Sequence, residues 1–351
     1  MKRCSIALLA PVLLAGCCCH SPGSHEKRKG DEIVVAGQFF HTGTPVVLWM
    51  DPGGYDAYRV ERRFVPYDQS DFETSRPFLD KPQKPNRYDL RGHDLTPEQL
   101  ERVRGGGWDL PTLQSNVDQF VLHFDVAGIS RTCFKVLQDT RDLSVHFMLD
   151  LDGTIYQTLD VKERARHATI ANNRSVGIEI ANMGSYGVTN KNPLAEWYKK
   201  DAAGRTIITI PARAGPSPER TPHFAGRPVR RELITGEVQG RQLSQYDFTR
   251  QQYKALAKLT AALCTVLPRI TCDYPREPDG KLMTHKLPAA QWRDYHGVLG
   301  HYHVQDNKVD PGPALQWDYV IGQARRLMGM PPQRTVDGKK ATWWAKLKVD
   351  N

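Results

Sequence analysis

Gln119-Phe120-Val121-Leu122-His123-Phe124-Asp125-Val126 is the stretch on which the reading of this chain turns. Its β-branched and aromatic residues predict a strand. A period of two puts Phe120, Leu122 and Phe124 on one face and Val121, His123 and Asp125 on the other. Beyond it, Ser130 stands where it can cap a helix that turns Cys133, Phe134 and Leu137 inward. Val145 to Leu151 and Thr154 to Leu159 flank Asp152-Gly153, a strong hairpin signal. In Ser175-Val176-Gly177-Ile178-Glu179-Ile180-Ala181, Val176, Ile178 and Ile180 share a face, so Glu179 stands on the opposite one beside Gly177 and Ala181. Thr249-Arg250-Gln251-Gln252 is a capping-box pattern. It opens a helix striped with Tyr253, Leu256, Ala257, Thr260, Leu263, Cys264 and Leu267 and stopped by Pro268. A second helix is expected from about Ala314, with Trp317, Val320, Ile321 and Leu327 inward. Strands separated by helices, with one hairpin, predict an α/β fold: a mixed central β-sheet flanked by helices.

The flanks divide the chain further. Met1-Lys2-Arg3 and the apolar run Ile6 to Leu14 form a stretch too short to span a bilayer, and read as an export signal. Leu14-Ala15-Gly16-Cys17 resembles a bacterial lipobox, which implies cleavage after residue 16 and acylation of Cys17. Cys18 in place of an aspartate resembles outer-membrane sorting, so the expected location is periplasmic, lipid-anchored to the outer membrane. Residues 17–30 read as a polar tether and 31–115 as an N-terminal β-rich extension. In that extension His41 to Pro45 reads as the hairpin connection between the runs Ile33 to Phe40 and Val46 to Trp49, and Thr96-Pro97-Glu98-Gln99 as a helix start. Residues 116–328 form the main domain, interrupted by a long insertion at about 183–245 with no sustained period; 329–351 is a tail.

Composition narrows the function classes. Hydrophobic content of 40% and charge of 25% over 351 residues describe a globular protein. The net charge of +9 serves solubility or attraction to an acidic polymer or membrane surface. The basic residues are dispersed, without interleaved aromatics, so no nucleic-acid partner is expected. Cys18, Cys19, Cys133, Cys264 and Cys272 fit no zinc-finger spacing. Cys264 and Cys272 fit a disulfide in an oxidising compartment as well as a reduced, buried pair.

One further stretch carries chemistry: Gly300-His301-Tyr302-His303-Val304-Gln305-Asp306-Asn307-Lys308-Val309-Asp310-Pro311-Gly312-Pro313. Imidazole and carboxylate suit Zn²⁺, and a catalytic zinc keeps three protein ligands plus a water. The loop can supply two ligands, and His123 is the expected third. Glu179 would then move the proton between water and the leaving amine, and Lys308 would steady charge on the carbonyl oxygen. Each residue alone has an ordinary explanation as a core histidine, a solvated carboxylate or a surface lysine; the set is what points to amide hydrolysis.

Six ordered blocks turn the set into a family resemblance. Val121-Leu122-His123, Ser144 to Phe147, Asp152 to Gln157, Arg166-His167-Ala168, Ser175 to Ile180 and Gly300 to Pro313 resemble the zinc N-acetylmuramoyl-L-alanine amidases of the amidase-2 family, relatives of phage amidase lysozymes and peptidoglycan recognition proteins. The resemblance implies a peptidoglycan-recognition-protein-like sheet, one Zn²⁺, and cleavage of the amide joining N-acetylmuramic acid to L-alanine in peptidoglycan or muropeptides. By position it implies His123, His301 and Asp310 as metal ligands, Glu179 as acid/base, Lys308 as oxyanion stabiliser, His167 at the substrate groove and His146 in a structural role. Where the family often has His-x-Asp, this chain has His301-Tyr302-His303, which leaves His303 as an alternative ligand; the preceding Gly300 favours His301. The competing function is a non-catalytic peptidoglycan-binding lipoprotein.

Overall fold

In the computed structural model residues 27–58, 88–91, 95–188, 191–215, 220 and 223–332 are described. The leader, Cys17 and the tail beyond residue 332 lie outside them. The chain enters through a hairpin of β1 (Glu32–Val35) and β2 (Gln38–His41), turned at Ala36-Gly37 with φ of 51° and 73°. This is the backbone that matches strand twist in a two-residue turn. The expected connection at His41 to Pro45 is therefore not a hairpin. β3 (Val46–Leu48) is buried at all three residues and leaves to join the central sheet, as a strand apolar on both faces should. β4 (Tyr88–Leu90) precedes two short helices, α1 (Pro97–Arg102) and α2 (Leu110–Asn116), the first opened by the expected Thr96–Gln99 capping box.

The sheet then assembles from β5 (Gln119–Phe124), β6 (Phe147–Leu149), β7 (Ile155–Gln157), β9 (Ser175–Ile180) and β15 (Gly297–Gly300), in the order β15-β5-β9-β6-β7-β3. Only β6 and β7 pair antiparallel, across the Asp152-Gly153 turn, so the sheet is mixed. β8 (Glu163–Ala165) turns back to pair with β4. One sheet face, with Phe120, Leu122, Phe147, Leu149, Val176 and Ile178, packs on α5 (Arg250–Val266) and α8 (Trp317–Leu327) in the main core. α5 carries the predicted Thr249–Gln252 capping box. The other face has two separate clusters. Met148 and Tyr156 pack on Cys133 and Phe134 of α3 (Ser130–Lys135), while Val121 and Leu299 pack on Met283, Leu287 and Val304, with Trp292 of α6 (Ala289–Asp294) against them. His123, Gly177 and Glu179 stand on β5 and β9 in the gap between them.

Three local expectations give way. Ser130 does not cap α3; its hydroxyl is buried without a partner. Ile129 takes the N-cap position instead, with no side-chain cap hydrogen bond at this end of α3. α8 begins at Trp317 and not near Ala314, because the backbones of Ala314 and Gln316 are bonded to Gln245 and the Tyr253 hydroxyl instead of to a helical turn. Leu327, expected inward, is exposed at the frayed end.

The described residues of the 183–245 insertion are folded. They hold β10 (Tyr186–Gly187), α4 (Leu194–Trp197), β11 (Tyr198–Lys200), β12 (Thr206–Ile208) and a hairpin of β13 (Ile234–Val238) and β14 (Arg241–Gln245). Trp197, Leu194 and Tyr198 build a core of their own against Ile129, Leu151 and Ala181.

The segment before α1 is stitched in through Arg91, which is buried beside the turn that leads into β9. Its guanidinium donates to the carbonyls of Val161 at 3.1 Å, Asn172 at 3.2 Å, Asn173 at 2.8 Å and Ser175 at 2.8 Å. Arg91→Met fills similar volume but orphans these oxygens, each worth about 1–3 kcal/mol when buried unpaired. The variant should lose about 3 kcal/mol or more of stability in urea unfolding; an unchanged midpoint would show that water replaces the donors.

Candidate active site

Strand register brings the first two groups together. β5 and β9 run parallel with His123 opposite Glu179, which places both on one face of strands about 4.8 Å apart. β15 runs parallel on the other side of β5 and ends at Gly300, opposite Leu122, so α7 (His301–Val304) starts beside His123. The two imidazole centroids are 4.4 Å apart. The loop then returns, and the Asp310 carbonyl accepts from Tyr302 N–H at 3.2 Å. Asp310 Oδ2 lies 2.8 Å from His123 Nδ1 and 3.0 Å from His301 Nδ1. All three residues are buried, and one ligand atom from each lies within 4.8 Å of the others.

The electrostatics favour a cation at that point. Burial, then the neighbouring His301 ring, push His123 down to about 4, so its imidazole is neutral at pH 7. Burial alone would raise Asp310. His301 and the hydrogen bond from His123 overcome it and hold the carboxyl well below its usual range. A tetrahedral zinc with bonds of about 2.0–2.1 Å spaces its ligand atoms by about 3.3 Å, close to the separations here. Two imidazoles and one carboxylate are a donor set that fits that ion.

Outer partners fix the ring orientation. His123 Nε2 lies 3.0 Å from His167 Nδ1, and His301 Nε2 lies 2.6 Å from Gln305 Oε1. Donating each Nε2–H outward would leave each Nδ1 a lone pair to give to an ion, as a ligating histidine requires. His167 thus sits behind His123. Its own Nε2 lies 3.2 Å from Ser175 Oγ, and its ring lies against Gly177, where a Cβ would come within 2.6 Å of Nδ1. His146, expected to be structural, accepts from Gly177 N–H at 3.1 Å and donates to the Glu163 carbonyl at 3.0 Å. His303 is used in the same way: Nδ1 accepts from Gly300 N–H at 2.8 Å and Nε2 donates to the Met283 carbonyl at 2.7 Å. With both nitrogens spent, His303 stays out of the cluster, and His301 is the loop imidazole that joins it.

Glu179 is partly buried, with Oε2 enclosed and unpaired among the described residues. Burial, then the Asp310 and Asp125 charges, hold its carboxyl well above the usual range, with Lys308 opposing. Lys308 stands on the same loop, and its charge acts on both Glu179 and His123. Among the described residues no side-chain partner holds its ammonium. Sequence reasoning missed Gln305, whose spacing of four from His301 on a one-turn helix was the available signal. It also missed Asp125, whose Oδ1 accepts from Ala127, Gly128 and Asn182 N–H and fixes the turn after β5.

The mixed sheet and the buried His123–His301–Asp310 cluster agree with what the family match shows. The N-acetylmuramoyl-L-alanine amidase family matches residues 113–313, more than half of the chain, and the chain belongs to it. It is therefore an enzyme of the amidase class by family. Among solved structures, a selenomethionine derivative of AmpD is similar at 18% identity and a TM-score of 0.31, over 68% of this chain and 89% of that one. The amidase AmiD from E. coli, in complex with the substrate anhydro-N-acetylmuramic acid-L-Ala-D-gamma-Glu-L-Lys, is similar at 18% and 0.33, over 63% of this chain and 60% of that one. The Ph2119 endolysin from Thermus scotoductus MAT2119 bacteriophage Ph2119 is similar at 14% and 0.32, over 70% and 95%. No curated protein matches the chain.

Proposed function

We propose that this protein hydrolyses the amide bond between N-acetylmuramic acid and L-alanine in peptidoglycan or muropeptides, with one Zn²⁺ held by His123, His301 and Asp310. The observation that carries the reading is the convergence of those three side chains within 4.8 Å, next to Glu179 on the adjoining strand. Bound there, the ion supplies Lewis acidity, lowering the pKa of water to about 7 and polarising a carbonyl. Glu179 accepts the proton from the attacking water and delivers it to the departing amide nitrogen; burial raises the proton affinity of its carboxylate, which strengthens it as the base that begins the step. Lys308 places its Nζ charge near the carbonyl oxygen and stabilises the negative charge that develops there. His167 and Gln305 hold the two imidazoles against rotation.

The location belongs to the same proposal. Cys17 in Leu14-Ala15-Gly16-Cys17 carries the lipid, the chain faces the periplasm from the outer membrane, and residues 116–328 are the hydrolytic domain. Cys17→Ser should move the protein from the membrane to the soluble envelope fraction; a variant still retained by the membrane would remove the anchor from the proposal.

The function is tested on purified protein. Metal analysis should find one zinc per chain, and incubation with sacculi should release stem peptides bearing a new amino-terminal alanine. A chelator should abolish release and added zinc restore it. Bound zinc without release would make the protein a peptidoglycan binder, and absence of zinc binding would remove the metal reading altogether.

A further inference from the structure

The loop from His301 to Asp310 must present two donor atoms to one point, yet it is weakly built from within. α7 is a single turn, and the loop's own backbone bonds are few: Gln305 N–H to His301, Lys308 N–H to Gln305 and Tyr302 N–H to Asp310. The insertion hairpin supplies what the loop lacks. At its tip, Gln239 and Gly240 take φ of 53° and 68°. From there Gln239 Nε2 donates to the carbonyls of Tyr302 at 2.8 Å and Gln305 at 2.9 Å, the free carbonyl end of α7. Gln239 Oε1 accepts from Lys286 N–H at 3.2 Å, and its backbone N–H donates to Thr284 at 2.9 Å. Halfway down, Gly236 lies against Pro313; a Cβ there would come within 2.7 Å of the proline Cβ. At the base, the buried Gln245 donates to the Pro311 carbonyl at 3.1 Å and accepts from Ala314 N–H at 3.0 Å. Its amide also donates to Asn182 Oδ1 at 3.2 Å, and Asn182 N–H reaches Asp125 Oδ1 at 3.1 Å. One hairpin thus grips the loop just after His301 and just after Asp310, and ties its base to the ends of β9 and β5.

We infer that the β13–β14 hairpin is a splint that pre-forms the His301–Asp310 loop for metal binding, with Gln239 and Gln245 as positioning residues. The inference rests on the triad being the metal site. Without the splint, the ion has to order the loop itself, and the ordering entropy is subtracted from its affinity. Loss of partners bonded directly to ligating rings costs about 10–100-fold in metal affinity; partners of the loop backbone are expected at the low end of that range.

The test uses the whole chain with zinc and cobalt. Gln239→Glu keeps the length and the acceptor but removes both donated bonds, and Gln239→Ala removes the side chain at an accessible hairpin tip. Gln242→Ala, exposed on the same hairpin, is the control. Zinc affinity by competition with a chromophoric chelator should fall at least about 10-fold in both Gln239 variants and hold in the control. The d–d bands of the cobalt-substituted protein should shift in the Gln239 variants alone, a change that a general loss of stability does not produce. Folded Gln239 variants with the parent's zinc affinity and cobalt spectrum would overturn the splint. A parent protein that binds neither ion would instead overturn the metal site on which it rests.

Discussion

Glu179→Gln should bind zinc as tightly as the parent protein and release stem peptides from sacculi at least about 100-fold more slowly, the usual worth of a positioned acid/base. The substitution is isosteric and leaves the His123, His301 and Asp310 donor set untouched. It abolishes proton transfer at one oxygen atom. The loss should fall on kcat, because Glu179 is asked to act on the reacting water and the leaving nitrogen and not to grip the sugar or peptide. Asp125 is also held high by burial, to about 7; its Oδ1 is committed to three backbone N–H groups at the turn after β5, while its Oδ2 is buried and unpaired. Parent-like turnover in Glu179→Gln would show that the proton moves elsewhere, and loss of zinc from the same variant would show that Glu179 is a ligand.

Much of this site was legible because strand periodicity is a strong constraint. Alternation over Gln119 to Val126 and Ser175 to Ala181 placed His123 and Glu179 off the apolar face, and a parallel register then made them neighbours. The mixed sheet followed from the Asp152-Gly153 hairpin set among helix-linked strands, and the capping box at Thr249 marked the first residue of α5. What alternation does not encode is which strand lies beside which. Val46 to Leu48 looked like the second arm of a local hairpin, and only its burial on both faces, against β7, explains why it leaves β2 behind.

The insertion was illegible for a related reason. Its strands are short and its polar residues face other backbone segments, so it shows no period. Gln239 and Gln245 act through amide groups that bond carbonyls far away in the chain, and a glutamine used in this way has the same local signature as a solvated one. Alternation could not separate His301 from His303; in the structure Gly300 and Met283 take both nitrogens of His303, and His301 is the ring beside Asp310. Cys264 and Cys272 are buried thiols in this structure, and Cys272 donates weakly to the Ile321 carbonyl.

His123→Ala should lose zinc as well as turnover, and the difference shows in stability. A ligand that binds only the folded chain adds RT ln(1 + [L]/Kd), about 4 kcal/mol at a thousandfold excess over Kd. Zinc should therefore raise the unfolding temperature of the parent protein by several degrees and leave that of His123→Ala unchanged. The expected loss of affinity exceeds the roughly 100-fold limit for outer hydrogen-bond partners, because a bond to the ion itself is removed. Burial sharpens the effect. His123 is 2% exposed, so water has little room to take the vacated position. The remaining pair, His301 and Asp310, comes from one loop and lacks the rigid strand that fixes the third donor relative to it. Asp310→Ala should behave alike toward zinc but differ without it, since it leaves both imidazoles facing one another with no carboxylate between them. A zinc-dependent rise in unfolding temperature that survives in His123→Ala at the parent's affinity would place the ion elsewhere, and the strand would then carry a histidine with no metal to bind.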